Sequence, residues 1–312
     1  MHEIKRVLVV GGTHGNELTG IYLVKKFERS PHLIKRSSFE SLTLFANPKA
    51  HEIGKRYVET DLNRCFRRQD LENLSLCSYE AQRAKEIYQT FGSRGSQPAD
   101  FVIDLHSTTS NMGLSLILAS KHPVNLQLAA YVTSVNPNVK LLYSDTKNQD
   151  NHCLDALGKF GCTVEVGPIA QNTLGAVLFQ QTEVLIDSIL DYLEAYNQGH
   201  IKIAEQVLTL YEYTGVIDYP RNEQGEIQAM IHPQIQFRDY EPLNPGQPIF
   251  LTFDGHAIAY EGTTTVYPIF INEAAYYEKK IAMCITRQQR EIVSRSNINL
   301  SQSVQMPDTA AL

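Results

Sequence analysis

Arg6-Val7-Leu8-Val9-Val10-Gly11-Gly12-Thr13-His14-Gly15-Asn16-Glu17 runs from a short apolar segment into a glycine-rich turn that holds a histidine and a carboxylate three positions apart. An apolar run of this length, closed by glycines, reads as a buried β-strand. An imidazole nitrogen and a carboxylate oxygen in one strand-end loop are both good ligands for Zn²⁺. The stretch therefore predicts a buried sheet with half of a metal site at its edge.

The other half is expected at the end of a neighbouring strand. Phe101-Val102-Ile103-Asp104-Leu105-His106 ends a second apolar run on His106, with Asp104 two residues earlier on the same face, where it can orient the imidazole. Together His14, Glu17 and His106 form a His₂Glu set with the fourth position open to water, the pattern of catalytic rather than structural zinc. Taken singly each residue is weak evidence, since a strand-end histidine is more often a core or surface residue. A metal hydrolase also needs a group to move protons. Glu165, inside Cys162-Thr163-Val164-Glu165-Val166-Gly167-Pro168, is a carboxylate in an apolar strand, which is costly unless it faces a cleft. An edge-strand glutamate facing solvent is the alternative. The loop from Asn47 to Arg64 carries two further candidates: Arg56, suited to oxyanion stabilisation, and Arg64, suited to planar carboxylate recognition. Asp61 could cap a turn or anchor one of these arginines.

Around this centre the chain alternates short apolar runs with helical patterns from residue 6 to about 197, which predicts an α/β fold. Strands are expected at Arg6–Val10, Leu42–Ala46, Phe101–Leu105, Leu114–Leu118, Val139–Tyr143 and Cys162–Val166, with helices at Glu17–Phe27, Glu80–Phe91 and from Leu174 to Tyr196. In the last helix Leu174, Val177, Leu178, Leu185, Ile189 and Leu193 are expected to face the core. Beyond His200 the pattern turns β-rich, with Asp254-Gly255 between two apolar runs as a hairpin turn. The expected organisation is an α/β domain over 1–199, a smaller β-rich domain over 200–286, and a polar, flexible tail over 287–312.

Bulk properties of the 312 residues, 43% hydrophobic and 20% charged with net charge −6, suit a soluble globular protein and offer no basic footprint for nucleic acid. The first apolar run is far shorter than the about 18 residues of a membrane span, so a cytoplasmic location and no membrane partner are expected. Five cysteines without a Cys-x-x-Cys pair are expected to be free buried thiols.

Gly-Gly-Thr-His-Gly-Asn-Glu-Leu-Thr-Gly, Asp61-Leu62-Asn63-Arg64, Asp104-Leu105-His106-Ser107-Thr108-Thr109-Ser110-Asn111-Met112-Gly113, Val164-Glu165-Val166-Gly167-Pro168 and Asn272-Glu273-Ala274-Ala275-Tyr276-Tyr277-Glu278-Lys279-Lys280 resemble the aspartoacylase family in order and across nearly the whole chain. The resemblance implies a zinc carboxypeptidase-like mixed sheet flanked by helices, with a C-terminal β domain narrowing the entrance. It also implies hydrolysis of N-acyl amino acids, N-acetyl-L-aspartate above all. On this pattern His14, Glu17 and His106 hold one Zn²⁺ per chain, Glu165 shuttles the proton, and Arg56 polarises the acyl carbonyl. Asn63, Arg64 and Tyr276 hold the α-carboxylate, and Lys279 adds positive field at the side-chain end. A homodimer is the family expectation.

The sequence also departs from the family. Asp155 stands where aspartoacylases carry an arginine for the side-chain carboxylate, Asn151 where they carry a tyrosine, and Ser107 where an asparagine is usual. No arginine occurs between Arg94 and Arg221, so an anionic side chain beside Asp155 would be repelled unless Lys279 or Lys147 compensates. Deacylation of N-acyl amino acids with neutral or aromatic side chains is the rival. Outside this reaction class, a glycine-rich phosphate binder is disfavoured because Glu17 stands at the helix start and no Gly-Lys-Ser/Thr ending is present. A non-catalytic metal-bound module is the remaining alternative.

Overall fold

The computed structural model describes residues 3–144, 153–201 and 205–294. In chain order it forms β1 (Arg6–Gly11), α1 (Leu18–Arg29), β2 (Glu40–Phe45), α2 (Pro48–Glu52), α3 (Arg68–Glu72), α4 (Tyr79–Phe91), β3 (Phe101–Ser107), β4 (Gly113–Leu118), α5 (Pro123–Val135), β5 (Lys140–Tyr143), β6 (Phe160–Gly167) and α6 (Ala176–Asn197). Then come β7 (Gln206–Ile217), β8 (Ala229–Ile231), β9 (Pro248–Thr252), β10 (Ala257–Ala259), β11 (Tyr267–Ile269) and β12 (Met283–Val293).

One mixed sheet of nine strands, in the order β11-β12-β7-β5-β4-β6-β3-β1-β2, organises the molecule. The pairs β2/β1, β1/β3 and β3/β6 are parallel, and β4 runs antiparallel to β6. Strand alternation sends successive side chains to opposite faces. On one face Val7, Val9, Phe101, Ile103, Leu105, Cys162, Val164 and Val166 pack against residues of α1, α5 and α6. On the other, Leu8, Val10 and Val102 pack with Ala84 and Ile87 of α4. That second face changes character toward the carboxyl ends of β3 and β6. There Asp104 is opposite Thr163 and His106 opposite Glu165 in register. Polar groups are thus collected at the carboxyl ends of parallel strands, where ligands bind in open α/β sheets.

A smaller sheet, β10-β9-β8, packs with the core formed by Tyr219, Ile231, Leu243, Phe250, Ile271 and Met283. The expected hairpin is present: β9 and β10 are antiparallel and Gly255 takes φ +89° in the turn between them.

Four expectations differ from the structure. The large sheet does not stop near residue 199, because β7 pairs in parallel with β5 and brings β12 and β11 with it. β12 continues to Val293, so Arg287–Val293, expected in a flexible tail, pair with Gln206–Glu212 of β7. Leu174 and Val177 are 49% and 69% exposed; Leu174 precedes α6, and Val177 lies two turns from Val184 on its outer face. Leu185, Ile189 and Leu193 are buried as expected. None of the five cysteines forms a disulfide, but only Cys162 and Cys284 are buried as expected; Cys65 and Cys153 are partly exposed and Cys77 is exposed. Asn151 and Lys147 lie outside the described residues. Among the described residues no helix is long and apolar enough to cross a membrane.

Candidate active site

Glycines shape the turn that follows β1. Gly12 adopts φ +73°, where an L side chain would be strained, and a Cβ on Gly15 would lie 2.2 Å from the backbone of Ala50 and His51. The Gly15 N–H donates to the carbonyl of Arg56 at 3.0 Å, so this turn is joined directly to the loop carrying the arginine.

His14, Glu17 and His106 are all buried, and one ligand atom from each lies within 4.8 Å of the others. His14 Nδ1 is 2.6 Å from Glu17 Oε1, His106 Nδ1 is 3.0 Å from Glu17 Oε2, and the two Nδ1 atoms are 3.0 Å apart. The outer nitrogens are committed elsewhere: His14 Nε2 to Asp61 Oδ1 at 2.9 Å, and His106 Nε2 to Asp104 Oδ2 at 2.8 Å. Each carboxylate favours the proton on Nε2, leaving the Nδ1 lone pairs facing one another and Glu17. That is an unfavourable arrangement for neutral rings and the favourable one for a shared cation. Ligands of a tetrahedral zinc sit about 3.3 Å apart, so the triad fits the ion after opening by roughly half an ångström. Thr13 Oγ1 donates to Asp104 Oδ1 at 2.8 Å and fixes the carboxylate behind His106.

Electrostatics follow the same grouping. Burial would raise the Glu17 pKa, but His14 and His106 outweigh it and hold the carboxyl well below its ordinary value. Burial opposes a charged His106, yet Asp104 and Glu17 raise its pKa well above the usual value. Glu165, opposite His106, behaves oppositely to Glu17: burial, with Glu17 and Glu273 nearby, raises its pKa well above the ordinary carboxylate range. Its Oε1 has no hydrogen-bond partner among the described residues.

Arg56 donates from Nη1 to Glu17 Oε1 at 3.0 Å and from Nη2 to Asp61 Oδ2 at 3.5 Å. Despite burial, these carboxylates keep it firmly charged. Asp61 is the hub: it caps the turn Leu62–Arg64 through Asn63 N–H, touches Arg56, and accepts from Lys279 Nζ at 3.0 Å. His14, Arg56 and Lys279 overcome burial and depress its pKa strongly. Asn63 Oδ1 accepts from Leu154 N–H at 2.8 Å, and Arg64 Nη1 donates to the Asn63 carbonyl at 2.7 Å. Tyr276 and Lys279 arrive from the turn Ala274–Lys279 of the C-terminal region.

These residues meet at a cavity of about 440 Å³ whose lining includes His14, Arg56, Asn63, Arg64, His106, Glu165, Tyr276 and Lys279. Glu17 sits behind the two histidines. The remaining wall is largely apolar, with Ile117, Leu142, Val216, Ile269, Phe270 and Ile281. Asp155 also lines it; burial, with Asp104 nearby, pushes its carboxyl up to about 6, and its Oδ1 is unpartnered among the described residues.

Sequence reasoning missed two carboxylates that hold the site loops. Glu273 Oε2 accepts from Thr109 N–H at 2.8 Å, from Thr109 Oγ1 at 2.9 Å and from the Thr108 hydroxyl. Its Oε1 caps the following turn through Ala275 N–H at 3.1 Å. Glu80 collects the loop before Asp61. The available signal was local: an acidic residue just before Ala274-Ala275-Tyr276 is in capping position.

Two histidines and a buried glutamate gathered in this way are a donor set that a divalent cation would fit, and the fold and site are those of a hydrolase. The chain belongs to the succinylglutamate desuccinylase/aspartoacylase family. Residues 3–193 match the family's catalytic domain and residues 206–288 its AstE/AspA barrel-sandwich hybrid domain. It is 59% identical over 289 residues to a probable aspartoacylase of Nostoc sp., covering 93% of this chain and 98% of the relative. It is 40% identical to the N-acyl-aromatic-L-amino acid amidohydrolase (carboxylate-forming) of Rattus norvegicus, covering 89% of this chain and 88% of the relative. Murine aminoacylase 3 superposes with a TM-score of 0.90 at 38% identity, covering 94% of this chain and 98% of that one.

Proposed function

We propose that the chain hydrolyses the amide bond of N-acyl-L-amino acids at a zinc ion held by His14, Glu17 and His106. The observation that carries this reading is the convergence of both Nδ1 atoms on the Glu17 carboxylate, with each Nε2 already bonded to an aspartate. When bound, Zn²⁺ supplies a Lewis acid that acidifies water and polarises an acyl carbonyl. Glu165, with its raised pKa and unpartnered oxygen, takes the proton from the attacking water and returns it to the leaving nitrogen. Arg56 aims its guanidinium at the developing oxyanion. Asn63, Arg64 and Tyr276 hold the substrate α-carboxylate, and Lys279 adds positive field.

Two side-chain classes fit. N-acetyl-L-aspartate is supported by the names of the aspartoacylase relatives and by the cations Arg56, Arg64 and Lys279 around the cavity. Neutral or aromatic side chains are supported by the apolar wall and by Asp155, which disfavours an anion beside it. A kinetic panel of N-acetyl-L-aspartate, N-acetyl-L-glutamate and N-acetyl-L-tyrosine with the zinc-loaded protein separates them. A preference of tenfold or more for the tyrosine compound selects the second class. Hydrolysis that survives complete removal of metal by a chelator, or no hydrolysis of any member, overturns the proposal.

A further inference from the structure

Glu80 is a fully buried carboxylate in the first turn of α4, on the same helix face as the core residues Ala84 and Ile87. A hydrophobic face has no use for a charge, so its partners explain its presence. Oε1 accepts from Val58 N–H at 2.6 Å and from Asn47 Nδ2 at 3.2 Å. Oε2 accepts from Glu59 N–H and Thr60 N–H, each at 3.1 Å. Three consecutive main-chain N–H groups thus wrap around one carboxylate, the geometry of a backbone anion nest occupied from within the protein. Glu59 closes the contact in the other direction by accepting from Tyr79 N–H.

The gripped segment is the one whose shape matters. Residues 53–61 include no helix or strand; main-chain bonds hold Ile53 to Arg56, and from Val58 to Thr60 the N–H groups go to Glu80. Arg56 lies two residues before Val58 and Asp61 one residue after Thr60. Asp61 in turn holds His14 Nε2 and Lys279 Nζ. We infer that Glu80 is a positioning residue for the centre: by fixing the Val58–Thr60 backbone it places Asp61 and Arg56, and through Asp61 it sets how firmly His14 holds the metal.

The inference rests on the proposed zinc site, and the test keeps the two apart. Glu80→Gln preserves shape but turns an amide N–H₂ toward N–H donors. Glu80→Gln with native circular dichroism is expected to lose zinc about tenfold more readily in chelator competition, within the range for residues behind metal ligands, and to raise KM. Combined with Asp61→Asn, the losses in zinc affinity should fall short of their product, because both changes act through His14. Wild-type zinc affinity in Glu80→Gln, or fully multiplicative losses, overturns the inference. Should Glu80→Gln fail to fold, hydrogen exchange on the unaltered protein decides: joint protection of the Val58, Glu59 and Thr60 amides supports the grip, and exchange at free-loop rates refutes it. A wild-type protein that binds no zinc sinks the proposed function instead, while exchange still judges the grip.

Discussion

Replacing Glu273 by alanine should separate the turn that carries Tyr276 and Lys279 from the loop that follows His106. Glu273 is 5% exposed and accepts main-chain N–H groups from both sides: Thr109 and Ser110 beyond β3, and Ala275 in the turn carrying Tyr276 and Lys279. Alanine leaves the Thr109 and Ala275 N–H groups without acceptors, each costing about 1–3 kcal/mol when buried, while Ser110 N–H keeps Thr108 Oγ1. The vacated space admits water, which holds the total to about 3–5 kcal/mol, a large part of a stability of about 5–15 kcal/mol. At about 2–4 °C per kcal/mol for a chain of this size class, the midpoint should fall by roughly 10 °C. Below that transition the turn has also lost its cap, so KM should rise more than kcat falls, since Tyr276 and Lys279 contact substrate in the proposed arrangement. Differential scanning calorimetry and initial-rate kinetics on the same preparation read both effects. Glu273→Gln, which keeps one acceptor, should lie between. A midpoint within about 2 °C of wild type together with unchanged KM would refute the claim that this carboxylate joins the two regions.

Other expectations follow from the remaining buried carboxyls. Glu165→Gln should lower kcat by about 10²- to 10⁴-fold while zinc stays stoichiometric by elemental analysis, and normal turnover would remove Glu165 from the mechanism. Asp155 has its carboxyl raised from 3.8 to about 6, so the folded state binds its proton more tightly than the unfolded chain. That contribution is fully present below pH 4 and is lost as pH rises through 6, amounting to about 3 kcal/mol. Asp155→Asn removes the dependence, so urea unfolding at pH 4 and pH 7.5 should show the variant gaining relative to wild type at the higher pH. Parallel pH profiles for the two proteins would contradict the assigned burial. The same variant should also improve kcat/KM for N-acetyl-L-aspartate relative to N-acetyl-L-tyrosine; an unchanged ratio would mean that Asp155 does not face the side chain.

Legibility in the sequence tracked how local each cause was. β1, β3 and β6 are continuous apolar runs because both faces are covered, and this pattern survives in sequence even without neighbours. His106 and Glu165 interrupt such runs at their ends, where a polar residue needs a reason, so they could be found before their register was known. Asp61 was harder. Its neighbours suggested a cap or an arginine partner, and it serves as both, but its bond to His14 depends on a loop meeting another loop 47 residues earlier in the chain. Glu80 and Glu273 were less legible still, because a glutamate beside alanines reads as ordinary helix surface until the chain folds backbone N–H groups onto it. The same limit explains the sheet. The β-rich pattern beyond His200 announces strands, but whether β7 pairs within a separate β domain or with β5 is settled by long-range packing, and the packing joins it to the large sheet. Residues that touch chemistry carry a pattern of their own, whereas residues that hold those in place are defined by what reaches them. In this chain the holders are themselves carboxylates, so the centre concentrates buried negative charge around a site that a divalent cation would neutralise.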